Sequence, residues 1–228
     1  LILLFDNATG RIDTVIEASR ANALRTAAAD AVAASVLARP EARTVAIFGT
    51  GQQAFCEVHA LKAVRPIKQV FVVGRRPTGV DQLIEKLAAA GIRAAPATAE
   101  AACTAADIIV TATPSRAPLF EAEWVKPGTH IAAMGADGPG KQELPVELLR
   151  RAALFCDLPE QSVKLGEFQS VAQDVADGRI TVTPIGRVLC AEHPGRASVD
   201  EITVFDSSGL ALQDLALALR LTGRMNAK

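Results

Sequence analysis

The sequence predicts an α/β protein with a doubly wound, mainly parallel sheet and a smaller α+β lobe, and two patterns support this prediction. From Thr44 onward, short runs rich in β-branched residues alternate with stretches of helical periodicity, which is typical of a parallel sheet covered by helices on both faces. The two ends of the chain instead predict a hairpin, a long helix and a terminal helix. The lobe is therefore expected to be built from both ends.

The N-terminal end predicts a hairpin followed by a helix. "LILLF" and "RIDTVIEA" alternate apolar and polar residues on either side of an Asn/Gly turn, as in a β-hairpin. The next stretch predicts a long helix with Ser19 as its N-cap and Pro40 closing it. We expect one inward face on this helix, formed by Ala21, Leu24, Ala28, Val32 and Val36. At the other end of the chain, "LALQDLALALRLTGRM" predicts an amphipathic helix.

The middle of the chain predicts the sheet itself. The predicted strands are "TVAIF", "QVFVVG", "IRAAPA", "DIIVTATP", "THIAAMG", "ALFCD" and a last strand within "SVDEITVFDSSG". Helices are expected near residues 53–64, 80–90 and 165–177.

Composition and charge exclude several kinds of partner. Half of the 228 residues are apolar, and 24 basic against 25 acidic residues leave a formal net charge of −1. A nearly neutral chain offers no strong field to a polyanion, so neither nucleic acid nor a charged membrane surface is expected as a partner. Because no apolar stretch approaches the roughly 18 residues that span a bilayer, we expect a cytoplasmic protein.

Cysteine and histidine positions give no sign of a metal site. The cysteines form no CxxC pair and have no histidine at zinc-ligand spacing, which predicts buried, reduced thiols. The histidines lie outside every motif described below and are expected to be packing or surface residues. These residues are Cys56, Cys103, Cys156 and Cys190, and His59, His130 and His193.

The strand "TVAIF" runs directly into "GTGQQA", which fits the fingerprint G-x-G-x-x-G/A. Gly49 would permit a tight turn, Gly51 would let a pyrophosphate approach the main chain, and Ala54 would let the helix pack on the strand. The helix N-terminus would supply N–H groups to the phosphates. A plain glycine turn is the alternative. We predict a Rossmann-type NAD(P)-binding domain over residues 42–206, with the lobe in residues 1–41 and 207–228, and cofactor contacts from the whole turn, which also contains Thr50, Gln52 and Gln53.

The cofactor preference is predicted from the end of the next strand, "VVGRRP". NAD-preferring sites carry an acidic residue about 20 residues after the glycines, but this chain has Gly74 followed by Arg75 and Arg76. Guanidinium groups can bind the 2′-phosphate through charge-assisted hydrogen bonds. We therefore predict NADP(H) over NAD(H), with solvated surface arginines as the alternative.

Four motifs in order, "LRTAAA", "GTGQQA", "GADGPGKQEL" and "TVFDSSGLALQDLA", make the chain resemble the ornithine cyclodeaminase and mu-crystallin family. The resemblance runs from the first hairpin to the terminal helix. It implies an enzyme that interconverts an amino acid and its imine by hydride exchange with a nicotinamide, and a homodimer formed through the lobe. Members of this family carry a further N-terminal segment. Because this chain starts without methionine inside a predicted strand, we expect it to be a fragment.

The resemblance also implies roles for individual residues. Asp137 matches the catalytic acid/base, a task suited to a carboxylate that can hold a cationic amine and then move protons; a turn aspartate before Gly138 is the alternative. Arg25 matches an arginine that meets the substrate carboxylate, with a surface arginine as the alternative, and Ser208 matches a substrate-side position. The remaining positions match cofactor contacts: Thr111, Thr113, Lys141 and Ser207.

Several functions remain open from the sequence. The first is an NAD(P)-dependent enzyme of the ornithine cyclodeaminase type, acting on an amino acid or a cyclic imino acid. The resemblance equally allows an NADPH-dependent ketimine reductase, with pyrroline-2-carboxylate or piperideine-2-carboxylate as substrate, or an alanine dehydrogenase. A hypothesis of another class is a non-enzymatic NADPH-binding protein like mu-crystallin.

Overall fold

The computed structural model describes residues 1–223. In chain order the strands are β1 (Ile2–Phe5), β2 (Ile12–Ile16), β3 (Thr44–Phe48), β4 (Gln69–Val73), β5 (Ala94–Pro96), β6 (Ile108–Thr111), β7 (His130–Ala133), β8 (Ala153–Cys156), β9 (Val182–Pro184) and β10 (Thr203–Asp206). The helices are α1 (Ser19–Leu37), α2 (Gln52–Val64), α3 (Pro77–Ala89), α4 (Ala99–Ala105), α5 (Val146–Arg151), α6 (Pro159–Leu165), α7 (Ala172–Ala176), α8 (Ile185–Leu189) and α9 (Ala211–Leu221).

Eight of the strands form one parallel sheet in the order β5-β4-β3-β6-β7-β10-β8-β9. From β3 the chain moves outward through β4 and β5, then returns to the other side of β3 with β6. The α/β, doubly wound prediction is thus confirmed. Such a reversal opens a crevice at the carboxyl ends of the two central strands, where ligands bind in open α/β sheets. Here those ends are Phe48 and Thr111, which are paired across β3 and β6.

The central strand is buried on both faces, which explains its unbroken apolar sequence. Val45 and Ile47 belong to the core cluster on one face, while Ala46 and Phe48 belong to the cluster on the other. All four are at most 2% exposed. This rigid centre fixes the position of the glycine turn that follows Phe48.

Helix α1 differs from its prediction at its start and in its buried face. Ser19 is the first helical residue, not the N-cap, and its hydroxyl donates to the Glu17 carboxylate. Of the predicted inward face, Leu24 and Val32 are 56% and 45% exposed. The buried residues are Ala23, Ala27, Asp30, Ala31, Ala33, Ala34 and Leu37. Alanines occur on all sides of this helix, so the positions of the larger aliphatic side chains did not indicate which face is buried.

The remaining parts of the predicted lobe are connected to α1 through α9. Strands β1 and β2 form a separate antiparallel pair, and β1 and α1 both contact α9. The C-terminal half of α1 also joins the core of the large sheet through Ala33, Ala34 and Leu37. The division near residue 41 stays a prediction, and the predicted terminal helix extends into residues 224–228, which lie outside the described part.

Some short elements escaped prediction, and one cysteine was assigned wrongly. Helices α4, α5 and α8 and strand β9 each have no more than seven residues, too few for a clear periodicity. Cys190 is exposed, although the other three cysteines are buried. Among residues 1–223, no helix is long and apolar enough to cross a membrane.

Candidate active site

A cavity of about 320 Å³ lies at the carboxyl edge of the sheet, lined by α1, the start of α2 and the loops after β6, β7 and β10. Its lining brings together residues that are far apart in the sequence. Seven of the predicted site residues are among them: Arg25, Gln53, Thr113, Asp137, Lys141, Ser207 and Ser208. The histidines lie elsewhere: His59 stacks on Phe55, His193 packs edge-on against Phe155, and His130 is buried beside Thr203.

The glycine turn between β3 and α2 has the form that a dinucleotide needs. Gly49 has φ +118°, and a Cβ there would lie 2.5 Å from the Ala112 carbonyl oxygen, so only glycine fits. A Cβ on Gly51 would meet nothing within 4 Å, while Ala54 is fully buried against the sheet. Gly51 caps α2 without a side-chain hydrogen bond, and the first turn contains no acid. These open N–H groups fit an anionic pyrophosphate.

The end of β4 shows why position 74 is glycine. A Cβ on Gly74 would lie 2.6 Å from the Thr50 methyl group, and one on Gly79 would lie 2.8 Å from the Thr50 hydroxyl oxygen. The Thr50 side chain therefore occupies the space between β4 and α3. Arg75 and Arg76 follow on the exposed turn before α3. Neither guanidinium has an ion pair or hydrogen bond with the described part of the chain, so both remain open to a ligand.

A buried carboxylate holds the loop after β6 in place. Glu143 accepts hydrogen bonds from the Thr111 and Thr113 hydroxyls and from the backbone N–H groups of Thr113 and Gly135. Burial raises the pKa of Glu143, and these four donors partly offset the rise. Thr111 is itself fully buried. Its hydroxyl therefore supports the loop, whereas Thr113 reaches the cavity.

The loop after β7 carries Asp137 and Lys141 into the cavity. The Asp137 carboxylate is 64% exposed and is paired with the Lys141 ammonium, which also donates to the Gly135 carbonyl oxygen at 3.4 Å. Asp137 therefore makes its described contact with a cation and not with the turn backbone, as a purely structural turn aspartate would. Such a carboxylate can bind a substrate amine and exchange protons with it.

Arg25 extends from α1 into the same cavity and is held by α9. Its Nη1 donates to the Gln213 Oε1 atom at 2.9 Å, and its Nε lies 3.0 Å from the Asp214 Oδ1 atom. The Arg25 side chain is only 18% exposed, so it is not a solvated surface arginine. The guanidinium N–H groups left over can bind a carboxylate bidentately.

The loop after β10 is fixed by a second carboxylate. The Asp157 side chain accepts hydrogen bonds from the Ser207 and Ser208 hydroxyls and from the Gly209 N–H. From α6, the Gln161 amide donates to the carbonyl oxygens of Ser208 and Gly209. Both predicted serines thus reach the cavity with their hydroxyls directed to Asp157.

Gln53 connects the cavity to a buried pair of acids between α1 and α2. Its amide donates to the Ala23 carbonyl oxygen and to the Glu57 carboxylate, which contacts the Asp30 carboxyl group. Asp30 and Glu57 are both fully buried. Burial raises the pKa of Asp30 to about 7, and a hydrogen bond with Glu57 partly offsets this rise. Burial, together with repulsion from Asp30, raises the pKa of Glu57 well above its usual range.

The residues that hold the loops of the site in place were not predicted from the sequence. Glu143 lies inside the motif "GADGPGKQEL", and Asp157 is the last residue of the predicted strand "ALFCD", directly after the observed β8. A polar residue at the carboxyl end of a parallel strand is a usable signal. Gln213 and Asp214 also stand within a recognised motif, but no local pattern shows that their helix returns to Arg25.

Known proteins are similar to this chain over nearly its whole length. The ornithine cyclodeaminase/mu-crystallin family profile matches residues 1–228. Alanine dehydrogenase from Archaeoglobus fulgidus is 41% identical over 219 residues, covering 96% of this chain and 68% of that protein.

Two solved structures are also similar. An archaeal alanine dehydrogenase dimer with bound NAD has a TM-score of 0.89 at 40% identity, over 95% of this chain and 68% of that one. Delta(1)-pyrroline-2-carboxylate reductase from Thermococcus litoralis, bound to NADH and L-proline, has a TM-score of 0.88 at 30% identity, over 95% and 68% of the two chains.

These matches confirm, at the level of the family, the prediction of an NAD(P)-dependent enzyme. The Rossmann-type prediction is confirmed by the sheet order together with these NAD-binding neighbours. The chain belongs to the ornithine cyclodeaminase/mu-crystallin family.

Proposed function

We propose that this protein exchanges a hydride between NADP(H) and the α-carbon of a small amino acid or cyclic imino acid. The observation that carries the proposal is the placement of Arg25 and Asp137 in one cavity at the carboxyl edge of the sheet, near the glycine turn. An α-amino acid requires a cation to bind its carboxylate and a carboxylate to bind its amine, and Arg25 and Asp137 supply these two groups. The similar alanine dehydrogenase and pyrroline-2-carboxylate reductase support this substrate class.

Each residue has a distinct task in this proposal. The nicotinamide, when bound, accepts or supplies the hydride at the α-carbon. Arg25 binds the substrate carboxylate and fixes the α-carbon in the cavity. Asp137 takes a proton from the substrate nitrogen or from an attacking nucleophile, and returns it in the reverse direction. Glu143 and Asp157 act through the loops that they hold, since preorganised loops keep reacting groups in place. Lys141 and Thr113 border the proposed cofactor site.

An assay of two reactions tests the proposal. With the full-length protein, we expect NADPH consumption on addition of pyrroline-2-carboxylate, piperideine-2-carboxylate, or pyruvate with ammonia. In parallel, ammonia release from L-ornithine with catalytic NAD⁺ would identify the cyclodeaminase reaction, in which no cofactor is consumed. NADPH binding without turnover of any of these compounds would instead favour a non-enzymatic binding protein and contradict the proposal.

The preference for NADP(H) rests on Arg75 and Arg76, which have no partners within the described residues. We expect the double substitution of both by Gln to raise KM for NADPH by about 10- to 100-fold, because charge-assisted contacts with a 2′-phosphate are lost. KM for NADH should change less than about threefold. Arg93→Gln is the matched control, because it removes an exposed charge just before the amino end of β5, whereas Arg75 and Arg76 follow the carboxyl end of β4. Equal changes in both KM values would exclude the preference.

We also propose a homodimer formed through the hairpin and α1. Large apolar side chains are exposed there: Leu3, Phe5, Ile12, Val15, Leu24 and Val32. Leu3 and Phe5 are paired with Val15 and Ile12 across the hairpin, and a group of exposed apolar side chains is typical of an interface. The similar archaeal alanine dehydrogenase is a dimer. A monomeric mass by analytical ultracentrifugation at micromolar concentration would contradict this assignment.

A further inference from the structure

Helix α9 holds Arg25 from the side. Gln213 and Asp214 are adjacent in its first turn, and they contact the guanidinium at Nη1 and Nε respectively. These contacts join the first long helix to the last helix across nearly the whole chain. They also use only some of the five N–H donors of a guanidinium, so the remaining donors stay available.

The loop after β10 restricts the same guanidinium from a further direction. A Cβ on Gly209 would lie 3.1 Å from the Arg25 Nη1 atom and 3.7 Å from Nη2. The Gly209 backbone is itself fixed by Asp157 and Gln161. Arg25 is therefore confined by the Asp214 carboxylate, the Gln213 amide and the Gly209 backbone.

A long arginine side chain otherwise samples many rotamers, and binding a carboxylate would require it to lose that freedom. With its position already fixed, less entropy is lost when the substrate arrives. We propose that Asp214 and Gln213 are positioning residues that hold Arg25 toward the substrate carboxylate, so that α9 sets the affinity for the acid substrate. This inference rests on the proposed function.

Substrate kinetics test it. We expect Asp214→Asn to raise KM for the amino or imino acid about tenfold and to change kcat less than about threefold, because the positioning contact is weakened while Asp137 is untouched. Gln213→Ala should act in the same direction. Asp214→Glu should recover part of the loss, and KM for NADPH should stay constant in all three variants. Glu85→Gln, which removes an exposed acid from α3, is the control.

A mutant cycle separates positioning from a general structural role. Arg25→Lys should itself raise KM, and Asp214→Asn should add little in that background, because the contact is already lost. Asp214→Asn that leaves substrate KM unchanged while Arg25→Lys raises it would overturn the inference and leave the proposed function intact. An Asp214→Asn variant in which KM for NADPH rises in parallel with substrate KM and Tm falls would also overturn the inference. If the unaltered protein turns over none of the acids, both proposals fail.

Discussion

Asp137→Asn is expected to lower kcat for the amino-acid or imino-acid reaction by at least about 100-fold. The asparagine has nearly the same shape as the aspartate but cannot accept a proton from the substrate nitrogen. Because Asp137 is on the loop after β7, and not in the glycine turn or beside Arg75 and Arg76, the dissociation constant for NADPH should stay within about threefold. Steady-state kinetics and NADPH fluorescence titration measure the two quantities.

The matched control is Glu147→Gln, which neutralises an exposed carboxylate ten residues along the chain. It should leave both quantities unchanged. An Asp137→Asn protein with kcat within threefold of the unaltered protein would reduce Asp137 to a turn residue. A loss of NADPH affinity equal to the loss of kcat would show that the loop had collapsed, and would equally contradict the catalytic role.

The second large effect concerns the acids buried between α1 and α2. An unfolded Asp30 ionises near pH 4, but in the folded protein its pKa is raised to about 7. The free energy of unfolding contributed by Asp30 is therefore highest below pH 4, falls as the pH rises, and becomes constant above the folded pKa. Asp30→Asn removes this dependence. We expect its free energy of unfolding, relative to the unaltered protein, to rise by about 2 kcal/mol between pH 5 and pH 8.

The comparison of two proteins at each pH isolates Asp30 together with its effect on the neighbouring Glu57. His130, whose pKa burial lowers to about 3, destabilises both proteins as the pH falls below about 6.5, so its effect cancels in the difference. Urea unfolding at pH 5, 6, 7 and 8 gives the required curve. Asp81→Asn, an exposed acid on α3, should show no trend. A flat difference for Asp30→Asn would mean that Asp30 is ionised normally in the folded protein.

Periodicity and glycine placement were sufficient to predict seven of the eight strands of the described sheet and the glycine turn, because both depend on local sequence. A strand such as Thr44–Phe48 is apolar throughout since both of its faces are buried, and Gly49 is required by its own backbone angle. Helix α1 could not be oriented in this way. Its core contacts are made by alanines and Leu37, and the acidic Asp30 is buried among them.

The supporting carboxylates depend on contacts that are distant in sequence. Glu143 reaches Thr111 across 32 positions, and Arg25 reaches Gln213 across 188. A single sequence shows each of these residues but does not show which of them are in contact. The resemblance supplied the residues proposed to face the ligand, whereas the structure was needed to show what holds them in place.

The position of β10 also bears on the order in which the fold can assemble. This strand is the last within residues 1–223, yet it lies between β7 and β8 and is hydrogen-bonded to both. In the described part of the chain, β8 and β9 are hydrogen-bonded to the rest of the sheet only through β10. A growing chain therefore holds two unconnected groups of strands until Thr203–Asp206 inserts between them. The exposed strand edges persist for that time, and the closing contact spans a long stretch of sequence, which is a feature of slow folding.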